Sequence, residues 1–187
     1  MNIDHASATE RCAGEVVLIE AAKIDPAAFE PLYQHYMARI YRYLYMRVSH
    51  AEDAADLTQQ VFLKALHALP GYRVRGVPFA AWLFRIAHDT LCDAYRREKK
   101  TISWDFLSDD ELLASDVDPE LLVLQQEQQE QLKRLLYQLE PSKQEMLALR
   151  FSAGLSGTEI ALVVGKSQAA VKKQLTRTLQ YLKEQMA

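Results

Sequence analysis

The sequence predicts an all-α fold: two small helical domains joined by an acidic linker, the second a four-helix domain closing in a helix-turn-helix. Three observations carry this. Gly and Pro are clustered, with none between Pro31 and Pro70 or between Pro78 and Pro119, and strand-like alternation is absent there, so both stretches read as helix. Charge is segregated: residues 1–100 hold 13 Lys/Arg against 12 Asp/Glu, 101–131 none against 9, and 132–187 9 against 4. The last thirty-odd residues read as two short helices with a tight turn between them.

In the first domain, residues 1–100, Asp25-Pro26 supplies a cap and a first helical residue. The helix it opens carries Phe29, Leu32, Tyr33, Tyr36, Ile40, Tyr43 and Leu44 at helical spacing. Ser49-His50-Ala51-Glu52 has the capping-box form and starts a helix with Leu57, Val61, Leu66 and Leu69 inward, stopped by Pro70-Gly71. A loop spans residues 72–78. The third long helix runs from Phe79 to about Lys100 with Phe79, Trp82, Leu83, Ile86, Thr90 and Leu91 as its apolar stripe.

Residues 101–119 are acidic and aperiodic, as a linker would be. The second domain, residues 120–187, follows the helix start at Asp118-Pro119. Its first helix is rich in Gln and Glu and ends near Glu140-Pro141; the next spans residues 142–151 and stops at Gly154. Ser156-Gly157-Thr158-Glu159 is another capping box, in which the serine side chain and the glutamate satisfy each other's orphan amides. Ile160, Ala161, Val163 and Val164 follow, then Gly165 where a left-handed terminator is wanted. Ser167 caps the final helix, which holds no Gly or Pro. This is the pattern of a helix-turn-helix whose second helix enters a DNA groove.

The bulk numbers exclude several classes. At 187 residues and 49% apolar content the chain is not disordered throughout. No run of some 18 apolar residues exists and the N-terminus lacks the plan of a secretion signal, so a cytoplasmic protein is expected. Cys12 and Cys92 make no disulfide framework. His88 and Cys92 stand four apart on a helix without a second pair nearby, one expected in the core and the other at the surface. The acids Asp109, Asp110, Glu111, Asp116 and Asp118 lack the glycine and bidentate glutamate of a calcium loop. No nucleophile–base pairing or phosphate-cradling loop is found, so neither enzyme activity, nor metal, nor cofactor is expected. A net charge of −3 predicts weak binding to free DNA, which depends on phosphates neutralised, and hence a partner that delivers the chain to DNA.

Three segments together resemble the extracytoplasmic-function sigma factors of bacterial RNA polymerase. They are residues 51–66 (AEDAADLTQQVFLKAL), then 79–87 (FAAWLFRIA) leading to Asp93-Ala94-Tyr95-Arg96-Arg97, and the helix-turn-helix with Val171-Lys172 in its second helix. The resemblance runs from about Phe29 to Lys183. It implies that the first domain docks on the clamp formed by the largest subunits of core RNA polymerase and captures the melted promoter element. The last domain would read a farther upstream duplex element, and an anti-sigma protein joins the partner classes. A stand-alone helix-turn-helix regulator binding duplex DNA is the alternative.

Asp53, Asp56, Gln59 and Gln60 fall along one side of their helix, opposite Leu57, Val61 and Phe62, with Leu63 as an apolar anchor. By itself the stripe reads as a solvated face or a docking surface; the resemblance implies polymerase docking. For the melted strand, backbone charge and stacking platforms are needed. Arg73, Arg75, Arg85, Arg96 and Arg97 supply the charge, extended by Lys99 and Lys100; Tyr72 and Phe84 are the candidate platforms, and Phe79 and Trp82 are assigned to the core. Family members often carry asparagine at the position of Asp89, whose carboxylate is expected to accept from a base and not to touch phosphate.

On the final helix, Val171, Leu175, Thr178, Leu179 and Leu182 cluster inward at 100° per residue. Ala169, Lys173, Thr176, Arg177 and Gln180 then face out, and Ser167 and Gln168 lie at the helix start. Arg177 is the candidate for a bidentate guanine contact, Ala169 for close approach to a thymine methyl, and Lys172 and Lys173 for phosphate.

Overall fold

The computed structural model describes residues 4–48, 50–74, 76–98 and 119–186. Among these, eight α-helices and no strand are found: α1 Asp4–Ile24, α2 Glu30–Val48, α3 Ala51–Ala68, α4 Phe79–Glu98, α5 Pro119–Gln138, α6 Pro141–Leu147, α7 Gly157–Val164 and α8 Gln168–Met186. The all-α expectation holds. Residues 101–118 of the expected linker lie outside the described residues.

Local chemistry sets most boundaries. Asp25 accepts from the Ala27 amide at 2.9 Å and Pro26 opens a 3-10 turn, Pro26–Phe29, that leads into α2. At α3 helix geometry starts at Ala51 and His50 occupies the cap without a side-chain bond; Ser49, the serine of the expected capping box, lies outside the described residues. A second 3-10 turn, Leu69–Gly71, stops α3 where Pro70 removes an amide. A π-turn, Ala148–Ser152, widens the end of α6.

Helix α1 has no counterpart among the sequence expectations. Gly14 at its middle weakens local propensity by roughly 1 kcal/mol, so the helix relies on tertiary contacts. Ile19 and Ala22 are buried, and the Tyr36 hydroxyl donates to Glu15 at 2.5 Å.

The first half is built on α2, α3 and α4. Ile40, Tyr43 and Leu44 from α2, Val61 and Ala65 from α3, and Leu83, Phe84 and Ala87 from α4 are fully enclosed. Tyr33, expected on the apolar stripe of α2, lies at the edge: it packs on Phe62 with ring centroids 4.7 Å apart yet stays 38% exposed.

The two halves do not stand apart. Helix α7 packs along α4, and the π-turn packs on α2. Met146, Leu149, Ile160, Val163 and Val171 belong to the same apolar core as Tyr43 and Phe84. A smaller cluster of Leu136, Leu139, Leu147 and Leu182 ties α5 and α6 to α8.

Candidate nucleic-acid interface

The helix-turn-helix forms as its local signals dictate. The Glu159 amide donates to Ser156 Oγ at 3.3 Å, and the Ser156 amide donates to Glu159 Oε2 at 2.8 Å. Gly165 takes the left-handed conformation, φ 66°, that ends α7 and turns the chain. Ser167 Oγ then accepts from the Ala170 amide at 3.2 Å, which starts α8.

Val171, Thr178 and Leu182 hold α8 against the bundle. Ser167, Gln168, Ala169, Lys172, Lys173, Thr176 and Arg177 are all exposed. Their side divides into two shallow grooves. One, between α8 and the start of α6, is bordered by Lys143, Lys166, Lys173 and Arg177, four cations on one concave surface. The other is bordered by Arg150, Lys172 and Thr176 together with Phe151 and Leu179. Leu179 was expected inward, but it is 42% exposed because Leu175 and Leu182 already fill the contact with α7 and α5. Lys143, Lys166 and Arg150 escaped the sequence reading, since only the fold brings them beside α8.

The face expected to hold melted DNA is rearranged. Tyr72 is buried at 6% exposure, its ring 5.6 Å from Phe79 and 4.9 Å from Trp82, and its hydroxyl donates to the Val77 carbonyl at 2.6 Å. Burial pushes that phenol up to about 12. Phe84 is fully buried, between the Arg39 guanidinium at 5.5 Å and the Tyr43 ring at 5.7 Å. Both aromatics therefore serve the core and offer no stacking face in this packing. Phe79 is buried, as assigned, and Trp82 is half-buried against it.

The cations mostly keep to the surface. Arg73, Arg85, Arg96 and Arg97 are exposed, as is Asp89; Arg75, Lys99 and Lys100 lie outside the described residues. Arg85 Nε pairs with Asp89 at 3.3 Å while its Nη1 donates to the Val163 carbonyl at 2.5 Å. Arg96 pairs with Asp93 at 3.0 Å.

On α3, Asp56, Gln59, Gln60 and Leu63 form an exposed arc, with Leu63 58% exposed, and Asp53 is half-buried beside them. Asp53, Asp56 and Gln60 also border a cleft of about 410 Å³ between α3 and α4, whose far wall holds Asp93, Tyr95 and Arg97.

One polar centre went unread in the sequence. Glu145 on α6 is 5% exposed and lies between the halves. It accepts from Tyr43 Oη at 2.6 Å, lies 3.0 Å from His88 Nδ1 and forms an ion pair with Arg47, itself buried. Burial opposes its charge, yet Arg47, His88 and Tyr43 prevail and hold the carboxyl below its usual range. His88 Nε2 meets Cys92 Sγ at 3.6 Å. The Cys92 and Glu145 contacts outweigh burial and raise the imidazole to about 10. Both His88 and Cys92 are half-buried, not split between core and surface as expected. Among the described residues no group of three His, Cys, Asp or Glu could hold a metal ion, and no helix is long and apolar enough to cross a membrane.

Residues 32–101 match the family Sigma-70 region 2, and residues 129–182 match Sigma-70, region 4. The chain is 36% identical over 167 residues to the ECF RNA polymerase sigma factor BldN of Streptomyces coelicolor, covering 88% of this chain and 61% of that protein's length. It is 32% identical over 176 residues to the ECF RNA polymerase sigma factor SigD of Mycobacterium tuberculosis, covering 92% and 83%. Among solved structures, CnrH in complex with the cytosolic domain of CnrY superposes with a TM-score of 0.60 at 25% identity, over 90% of this chain and 94% of that one.

Proposed function

Because the chain belongs to the extracytoplasmic-function sigma factors of bacterial RNA polymerase, we propose that it joins core polymerase in the cytoplasm and directs it to a specific promoter class. Residues 1–100 bind polymerase and the melted element, residues 120–187 read upstream duplex, and residues 101–119 connect them. The chain performs no catalysis of its own; it supplies specificity, and the polymerase supplies the chemistry.

The observation that carries this reading is the coexistence of two exposed surfaces of different chemistry on one chain. The α3 arc of Asp53, Asp56, Gln59, Gln60 and Leu63 is acidic and amide-rich with one apolar anchor. That mix suits a protein interface. The α8 face of Ser167, Gln168, Ala169, Lys172, Lys173, Thr176 and Arg177 is small at its start and basic along its length. That suits a major groove. Arg85, Arg96 and Arg97 on α4, with Arg73 and Arg75 of the segment before it, grip the melted strand by its phosphates, and Asp89 accepts a hydrogen bond from a base. CnrH is bound to the cytosolic domain of CnrY in its solved structure, and an anti-sigma protein is the further partner proposed here.

A gel-shift comparison tests this division of labour. The chain alone is expected to retard promoter duplex weakly at physiological salt, and the chain with core polymerase strongly and specifically. Tight, specific retardation by the chain alone would instead establish a free-standing regulator.

A further inference from the structure

A thiol, an imidazole and a carboxylate stand in line across α4 and α6. Cys92 Sγ lies 3.6 Å from His88 Nε2, and the opposite ring nitrogen, Nδ1, lies 3.0 Å from Glu145 Oε1. Cys92 and His88 sit about one helical turn apart on α4, so their contact is local; Glu145 arrives from α6. A nucleophile, a ring within hydrogen-bond reach of it and a third group orienting that ring are the parts of an activated thiol. Cys92 and Glu145 address opposite nitrogens of one ring and converge on no common point, which is the geometry of a relay and not of a metal site.

Charge completes the arrangement. Arg47 and Tyr43 of α2 help hold Glu145 as a carboxylate, and Glu145 with Cys92 favours the protonated form of His88. An imidazolium donates from both nitrogens, so one N–H faces the carboxylate and the other faces the sulfur. The thiolate is the form of cysteine that attacks, and a neighbouring histidine cation is among the groups that stabilise it. The other charged groups nearby are engaged elsewhere: Lys64 of α3 reaches Thr90 and Asp93, Arg96 pairs with Asp93, and the Tyr95 hydroxyl bonds the Arg47 carbonyl. The relay is closed at one end and open at the other. The Glu145 side chain is 7% exposed, that of His88 is 26% exposed, and Cys92 is half-buried, which leaves the sulfur within reach of a small polar molecule.

We propose that Cys92 is a modification site for hydroperoxides, with His88 and Glu145 as its positioning residues. The thiolate sulfur attacks one peroxide oxygen; the S–O bond forms as the O–O bond breaks. The departing oxygen takes the proton held at His88 Nε2 and leaves as water from hydrogen peroxide, or as an alcohol from an organic hydroperoxide. The sulfur is oxidised to the sulfenic acid, a reversible state, and the peroxide is reduced. The step needs neither polymerase nor DNA, so it stands apart from the promoter reading.

The test uses the full-length chain carrying Cys12→Ser, which leaves Cys92 as its one thiol. Hydrogen peroxide is the oxidant, dimedone traps the sulfenic acid, and mass spectrometry follows the adduct. The folded chain is expected to react about tenfold faster at neutral pH than the same chain unfolded in urea. His88→Gln should bring the rate down to that of the unfolded chain, and Glu145→Gln should lower it partway. Iodoacetamide alkylation across pH separates activation of the sulfur from a change in its access: the midpoint of the pH–rate profile should move upward in His88→Gln, whereas altered access alone scales the rates and leaves the midpoint in place. His88→Gln, at the open end of the relay, decides the matter should Glu145→Gln fail to fold. A folded chain that reacts no faster than the unfolded one overturns the site. An unaltered rate and profile in His88→Gln overturn the relay.

Discussion

Glu145 and Arg47 form a buried ion pair across the boundary between the two halves, 98 residues apart in sequence. Taking two charges out of water is expensive, and such pairs persist where further hydrogen bonds satisfy what remains. Tyr43 and His88 supply those bonds.

The first prediction concerns pH. His88 faces Glu145 on α6 and Cys92 on its own helix, with Arg47 and Tyr43 of α2 on the same carboxylate and Tyr95 of α4 bonded to the Arg47 carbonyl. Its imidazole is raised from 6.5 to about 10, so its contribution is complete below pH 6.5 and is lost as pH climbs through about 10. Glu145 is lowered, so its contribution is present above its usual 4.5 and fades as pH falls through its depressed value. Thermal melts between pH 5 and 9 should show highest stability near pH 5 to 6.5 and a steady decline above. In His88→Gln that decline should be shallower; an identical slope would remove His88 from the centre.

A second prediction concerns Arg177. Its exposure on α8 and its place beside Lys143, Lys166 and Lys173 suit a base-edge contact. Arg177→Ala should weaken binding by about 1–3 kcal/mol at promoters carrying the matching guanine and relax preference at that one base pair. Scoring a library of upstream elements measures this. Equal loss on all promoters would make Arg177 a phosphate contact.

Docking on polymerase is tested at Asp56, exposed on the α3 arc. Asp56→Ala should weaken affinity for core enzyme by about 1 kcal/mol, roughly fivefold, with the melting temperature unchanged. Unaltered core affinity would place the docking surface elsewhere.

The turn between α7 and α8 carries a fourth prediction. Ser156→Ala removes one partner of a reciprocal cap and should cost about 1 kcal/mol of stability. Gly165→Val, forced into φ 66°, should cost more and lower upstream duplex binding with it. Chemical denaturation measures both, and equal stability of the two variants would count against the strained-turn account.

What the sequence revealed and what it hid divide along one physical line. Ser156, Glu159, Gly165 and Ser167 act on neighbours within one helical turn, so their roles were legible from spacing alone. The exposed residues of α8 followed from helical periodicity. Leu179 did not, because periodicity gives a direction and not the number of side chains already filling it. Tyr72 and Phe84 read as aromatic platforms beside basic residues, yet long-range packing on Phe79, Arg39 and Tyr43 draws them inward. Glu145 looked like any helical glutamate; its partners stand 57 to 102 residues away, and no local pattern announces them. Helix α1 was missed for the converse reason: its own pattern is weak, and contacts through Glu15 and Ile19 stabilise it.

Run-off transcription with purified core polymerase tests the central claim most directly. With core enzyme stripped of its own specificity subunit, specific transcripts should appear only when this chain is added. They should fall sharply when Asp56 and Arg177 are both replaced by alanine. Transcripts that do not depend on the chain, or no transcripts from any promoter of the genome that encodes it, would contradict the account.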